Sequence, residues 1–252
     1  MSSRTWSSRR LLAVAALVAV PLLAGCGSDD GDSDGSSNSS DGSSNSSAGS
    51  SAGSSAGSSA GSSSGDEGTC TYRESGEAAR DVDLPSAEPT LTEDTPATIT
   101  TSNGDLAVTL AAGTAPCTVN SFVSLAEQGF YDDTPCPRIT TMPGFELLQC
   151  GDPTGTTGGG PGYEFDDELS GDETYGAGTL AMANAGPGTN GSQFFVVYGD
   201  TQLMPDYTVF GTVSAETLSV IEEVAADGDD GSNPAGGGAP NTPIDIVSVT
   251  IG

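Results

Sequence analysis

The sequence predicts a mainly β fold, a closed antiparallel barrel with two helices over its ends. Three observations predict it: a series of short apolar runs broken by turn residues, an Asn-Gly hairpin signal at the start of that series, and only two stretches with helical spacing. The series begins near Ala97. Residues 98–102 and 105–110 read as strands joined by Asn103-Gly104, the strongest short hairpin signal available. A helix is expected over roughly 118–128, because Val119, Phe122, Val123 and Ala126 share one face and Gly129 supplies a stop. Apolar runs at Ile139 and at 145–150, 178–182, 193–198 and 208–213 read as further strands. The second helix is expected over about 215–226, with Ser214 placed to cap it and Leu218, Ile221 and Val224 close to one face. A last strand, 244–251, ends the series.

Ahead of this domain, residues 1–26 read as an export signal. Arg4, Arg9 and Arg10 precede an apolar run from Leu11 to Leu23, about 13 residues long and too short to span a bilayer comfortably. Its end, Leu23-Ala24-Gly25-Cys26, is similar to a bacterial lipobox, which implies lipidation of Cys26 and a membrane anchor on the extracytoplasmic face. Ser8-Arg9-Arg10-Leu11-Leu12 also resembles a twin-arginine signal, so the export route stays open. Residues 27–68 are almost all Ser, Gly, Asp, Asn and Ala, with Ala-Gly-Ser-Ser repeated from Ala48 to Ser63. No side chain there can offset its ordering entropy, so the stretch reads as a disordered tether with a reach of roughly 35–40 Å. Residues 69–96 form an N-terminal extension to the domain at 97–252.

Composition removes whole classes of chemistry. There are 35 acidic and 6 basic residues, with no Lys and no His. Nucleic-acid binding is excluded, since phosphate affinity comes from Lys and Arg. Without His there is no Ser-His-Asp triad and no imidazole metal site; without Lys there is no Walker A loop and no Schiff base. What remains is Arg, amides, carboxylates and apolar surface, and no cofactor or metal is expected. Asp30, Asp32, Asp34, Gly35 and Asp41 do fit a calcium-loop template, but flanking helices are missing and the last acid is Asp instead of Glu. The match is read as chance in an Asp-rich tract; a calcium-binding surface lipoprotein is the remote alternative. Besides Cys26 there are four cysteines and no C-x-x-C pair, which in an exported chain suggests two disulfides with three possible pairings. Cys136 and Cys150 flank a turn between two strands and are paired on that ground, leaving Cys70 with Cys117 to pin the extension.

The segment 182–195, Met-Ala-Asn-Ala-Gly-Pro-Gly-Thr-Asn-Gly-Ser-Gln-Phe-Phe, closely resembles the signature of cyclophilins. So do Pro143-Gly144-Phe145 and Leu148-Gln149-Cys150-Gly151-Asp152, with Arg138 upstream, and Tyr207-Thr208-Val209-Phe210-Gly211 further on. The resemblance runs from about Ala97 to Ile251. Gln-Cys-Gly-Asp-Pro at 149–153 and Gly-Gly-Pro-Gly-Tyr at 159–163 also resemble the exported cyclophilins of high-GC Gram-positive bacteria. It implies an eight-stranded barrel capped by two helices, with a peptidyl-prolyl isomerase site on its outer face and proline-containing polypeptides as substrates of a monomer. Carried over residue by residue, Arg138 matches the catalytic arginine and Gln149 the glutamine near it. Ala183, Asn184 and Ala185 match the strip that pairs with substrate backbone; Gln193 and Phe195 match a polar contact and the pocket floor; Leu203 matches the pocket wall.

Three departures from the family pattern matter. Extra residues between Arg138 and Gln149 let the pocket Phe-Met pair map to Phe145 or to Glu146-Leu147, with Leu147 and Phe145 favoured. The family's tryptophan falls on Gln202, which implies weakened cyclosporin binding. The pocket histidine of many members falls on Tyr207. Arg138 is also the lone basic residue between Asp81 and Gly252, where a surface ion pair would be the ordinary role for it. Phe194 and Phe195 adjoin on a strand, so one should face the core and the other the pocket. The alternative of a proline-segment binder with little turnover uses the same residues.

Overall fold

The computed structural model describes residues 68–252. The export signal, Cys26, the 30–41 loop and nearly all of the 27–68 tether lie outside the described residues. In chain order the elements are β1 (Tyr72–Glu74), β2 (Thr95–Thr101), β3 (Gly104–Leu110), α1 (Pro116–Glu127), β4 (Thr134–Pro135), β5 (Arg138–Met142) and β6 (Phe145–Cys150). They continue with β7 (Tyr163–Phe165), β8 (Thr179–Met182), β9 (Phe194–Val197), β10 (Val209–Val213), α2 (Ala215–Ala226) and β11 (Asp245–Ile251).

Nine of these strands form one antiparallel sheet in the order β4-β11-β2-β3-β10-β8-β9-β6-β5. This corrects the expectation of a closed eight-stranded barrel: the hydrogen-bonded order is open, and it has nine strands. The two edges, β4 and β5, are neighbours in the chain, separated only by Cys136 and Pro137. Pro135 and Pro137 have no N–H to donate, so the ladder cannot run unbroken through this bend. The chain itself, not a hydrogen-bonded ladder, carries the curled sheet from one edge to the other.

Strand alternation explains which side is filled. In β3, Leu106, Val108 and Leu110 are buried while Asp105, Ala107 and Thr109 are exposed. The inner face packs around Phe122, Tyr131, Phe194 and Phe210, whose rings meet at 5.1–5.8 Å between centroids where they touch Phe122 or join Tyr131 to Phe194. Each such buried aromatic contributes on the order of 2–3 kcal/mol from transfer out of water.

Helix α1 buries Val119, Phe122, Val123 and Ala126 as its spacing predicts, and begins two residues early because Pro116 suits the first turn. Its free N–H groups are met from far away: the Glu168 carboxylate accepts from Cys117 N at 2.9 Å and from Thr118 N at 2.8 Å. At the other end, Arg80 donates to the carbonyls of Gly129, Phe130 and Asp132. Helix α2 matches its expected limits, but Ser214 sits at the cap position without capping; its hydroxyl bonds the Thr217 hydroxyl at 3.1 Å.

Both disulfides have the expected partners, Cys70–Cys117 and Cys136–Cys150. The first fastens the extension, which also pairs as β1 against β7, a small second sheet that the sequence reading did not foresee. Beyond β1, Ser75 N donates to Gly162 O and Ala79 N to Gly160 O, laying residues 75–79 along a glycine-rich loop.

Candidate functional site

The outer face of the sheet carries its own apolar cluster. Leu147, Tyr175, Ala181, Phe195 and Val197 are buried there, and Phe145, Ala183, Leu203, Tyr207 and Val209 pack against them half-buried. Along β6, Phe145, Leu147 and Gln149 alternate onto this outer face, while Leu148 and Cys150 belong to the inner core. Phe145 and Leu147 therefore lie in the cluster together and Glu146 does not. Phe195 is 3 % exposed and meets Tyr207 edge-on at 5.5 Å, whereas Phe194 faces the inner aromatics.

Arg138 and Gln149 are directly opposite in the β5–β6 register. The guanidinium donates Nε to Gly236 O at 2.9 Å, NH2 to Ala235 O at 3.1 Å and NH1 to Gln149 Oε1 at 3.0 Å, and it lies 5.4 Å from the Phe145 ring centroid. All three acceptors are neutral. The one carboxylate ion pair among the described residues is Arg73 with Asp166, so the ordinary role of a surface ion pair does not apply to Arg138. Of its five N–H groups, two have no partner among the described residues. Burial lowers its pKa from the usual arginine value and Tyr207 acts the other way; a guanidinium in this setting remains a cation.

From Arg138 a chain of amides runs across the face. Gln149 Nε2 donates to Gln193 Oε1 at 2.8 Å, and Gln193 Nε2 donates to Thr157 O and Gly159 O. Both amide protons of Gln193 are thus engaged, so a substrate carbonyl would have to displace a loop carbonyl to reach them. The loop is held by Asp152, a fully buried carboxylate that accepts from Thr154 N, Thr156 N and Gly159 N. Burial alone would raise the Asp152 pKa, but the bonds from Thr154, Gly159 and Thr156 outweigh it and hold the carboxyl below its ordinary range.

Along the rim, Ala183 N donates to Gln193 O, Asn184 Nδ2 donates to Asp206 O, and Ala185 N donates to Thr189 Oγ1. The backbone N–H and C=O of Asn184 have no partner among the described residues, leaving one donor and one acceptor facing outward. Of the expected residues, Arg138, Phe145, Leu147, Gln149, Ala183, Phe195, Leu203 and Tyr207 come together here with Asn184, Ala185 and Gln193 along the rim, the four disulfide cysteines lie elsewhere, and Cys26 is outside the described residues. Tyr175 was missed: it is 3 % exposed, and its hydroxyl donates to Tyr207 O and accepts from Tyr207 N, fixing that rim. It sits in an irregular acidic stretch with no periodicity, so no sequence pattern marks it.

An un-neutralised guanidinium thus lies at the edge of a small apolar cluster, beside a backbone strip with a free donor and acceptor. Residues 97–251 match the cyclophilin type peptidyl-prolyl cis-trans isomerase/CLD family, and the chain belongs to that family. Among its relatives is the probable peptidyl-prolyl cis-trans isomerase B of Mycobacterium tuberculosis, 44 % identical over 196 residues, covering 72 % of this chain and 62 % of that one. The chain thus spans about three-fifths of that relative's length. Peptidyl-prolyl cis-trans isomerase A of the same organism is 42 % identical over 176 residues, covering 62 % of this chain and 91 % of that one. A Cryptosporidium parvum cyclophilin type isomerase, crystallised in the presence of the dipeptide Ala-Pro, superposes with a TM-score of 0.55 at 33 % identity, covering 62 % of this chain and 98 % of that one.

Proposed function

We propose that the domain accelerates cis-trans isomerisation of X-Pro bonds in exported or unfolded polypeptides. The uncatalysed barrier is roughly 18–20 kcal/mol and reflects amide resonance. Twisting the bond removes that resonance and returns a lone pair to the proline nitrogen. A donor aimed there gains an acceptor only in the twisted state, so its binding energy lowers the barrier instead of merely tightening the complex. The observation that carries this reading is Arg138: fixed by three neutral acceptors, with two N–H groups unengaged and Phe145 beneath it. Phe195, Leu147 and Leu203 grip the ring, and the free backbone of Asn184 holds the residue before proline. No proton transfer or covalent intermediate is required.

The domain works as a monomer, outside the cytoplasm, tethered by lipid on Cys26. The Arg-rich start, the apolar run 11–23 and the lipobox-like Leu23-Ala24-Gly25-Cys26 support this, as do two disulfides, which persist in oxidising compartments. Slow X-Pro isomerisation limits folding of newly exported chains, and a tether keeps the domain where they emerge. Gln202, exposed in place of the family tryptophan, makes cyclosporin a weak inhibitor.

The test is exchange NMR on a cis-prolyl peptide with the intact protein. Wild type should raise the cis-trans exchange rate and Arg138→Ala should abolish most of the gain. Binding of the peptide without acceleration would leave a proline-segment binder in place of an isomerase.

A further inference from the structure

A groove of about 380 Å³ continues from the candidate site past the strip of Ala183, Asn184 and Ala185. Part of its wall comes from the extension, as the turn through Ser75, Gly76 and Glu77, and the adjoining part from the glycine-rich loop that holds Gln193 and to which Ser75 and Ala79 are hydrogen-bonded. The extension lies outside the family-matched residues 97–251, so this wall is an addition to the family domain. It is also firmly fixed. Cys70–Cys117, the β1–β7 pairing, the bonds from Ser75 and Ala79 to the loop and the three Arg80 bonds all anchor the segment on either side of the turn. The alignment with isomerase B, at 72 % of this chain, is longer than residues 97–252 and so takes in part of the extension; the alignment with isomerase A, at 62 %, has no such surplus.

Two carboxylates line the groove, Glu77 from the extension and Glu164 from β7, and no arginine does. Arg73 faces Glu164 across the ladder, yet its guanidinium pairs with Asp166 at 2.9 Å and with Gly188 O, and it forms no ion pair with Glu164. Both acids are therefore without a cationic partner among the described residues, beside a groove open to a substrate side chain.

We propose that the extension completes a second substrate subsite, and that Glu77 and Glu164 make it prefer a lysine or arginine ahead of the proline. The proposal rests on the isomerase reading above. The side chain enters on the amino side because the backbone strip, which holds the residue before proline, lies between the pocket and the groove. A fixed wall means that the subsite exists before substrate arrives, so little ordering cost opposes binding.

The experiment compares three tetrapeptides, Lys-Ala-Pro-Phe, Ala-Ala-Pro-Phe and Glu-Ala-Pro-Phe with blocked ends, by exchange NMR with the full-length protein. The lysine peptide should exceed the glutamate peptide in kcat/KM by about fivefold, the scale of partly exposed ion pairs. That ratio should shrink as ionic strength rises from about 0.05 to about 0.5 M. It should fall to about one in the Glu77→Gln, Glu164→Gln double variant, and Glu77→Lys, a change at an exposed position, should lower or invert it. Equal rates for all three peptides, or a lysine preference that survives the double variant, overturn the subsite and leave the isomerase intact. Failure to accelerate any peptide overturns both.

Discussion

Phe194 and Phe195 are consecutive in β9 and equally sheltered from water, yet they belong to different parts of the molecule. Phe194 meets Phe122, Tyr131 and Phe210 inside the curled sheet, in a core closed by both helices. Phe195 meets Tyr175 and Tyr207 outside it, in a patch of buried residues rimmed by half-buried ones, with a cation at its edge. The inner face is complete in itself. The outer one stays partly open to solvent along a rim of half-buried side chains. Stability and the proposed function thus fall to alternate residues of the same strands.

Breaking each face in turn should separate the two roles. Phe194→Ala opens a cavity in the aromatic core and should cost about 3–5 kcal/mol, read as a lowered urea midpoint with the slope unchanged. Arg138→Ala should lower kcat/KM by about 10²–10³, the range for deletion of one donor to a developing charge. Peptide affinity measured by titration should change far less, because the contact forms in the twisted state. A proportionate loss of affinity would mean that Arg138 merely binds. Phe195→Ala should cost about 1–2 kcal/mol of stability, the ordinary range for a point substitution, and should raise KM more than it lowers kcat. A stability loss equal to that of Phe194→Ala would erase the distinction between the faces.

The smallest effect concerns the loop behind Gln193. The Asp152 pKa is depressed in the fold, so its stabilisation is present above the unfolded value, about 3.9, and is lost as pH falls through the lower folded value. Amide exchange at Thr154, Thr156 and Gly159 should therefore quicken only under strong acid. Asp152→Asn should remove that acid dependence. A transition near neutral pH would contradict the assignment.

Much of the molecule was legible before folding. The Asn103-Gly104 turn marks the first hairpin, and the i, i+3, i+4 spacing in 119–126 reports which side of the helix is apolar, so its burial follows directly. The clustering of Phe145, Leu147, Phe195, Leu203 and Tyr207 could be anticipated because the motifs that carry the family resemblance are themselves sequence-local. Closure could not be read: that β4 and β5 form opposite edges depends on two prolines acting within a sheet whose order is non-local. Nor could the N-terminal capping of α1, which comes from Glu168 although Ala115 offers no side chain for it.

By itself, then, the sequence determined the two helices, most of the strands and the exclusion of His- and Lys-dependent chemistry, because these depend on composition and short-range periodicity. Tertiary structure alone decided that Arg138 meets neutral oxygens from a loop some 97 residues on instead of a carboxylate. It alone placed Tyr175 against Tyr207 and brought Glu77 to the groove. Those are distances between remote parts of the chain, and only packing of the whole domain sets them.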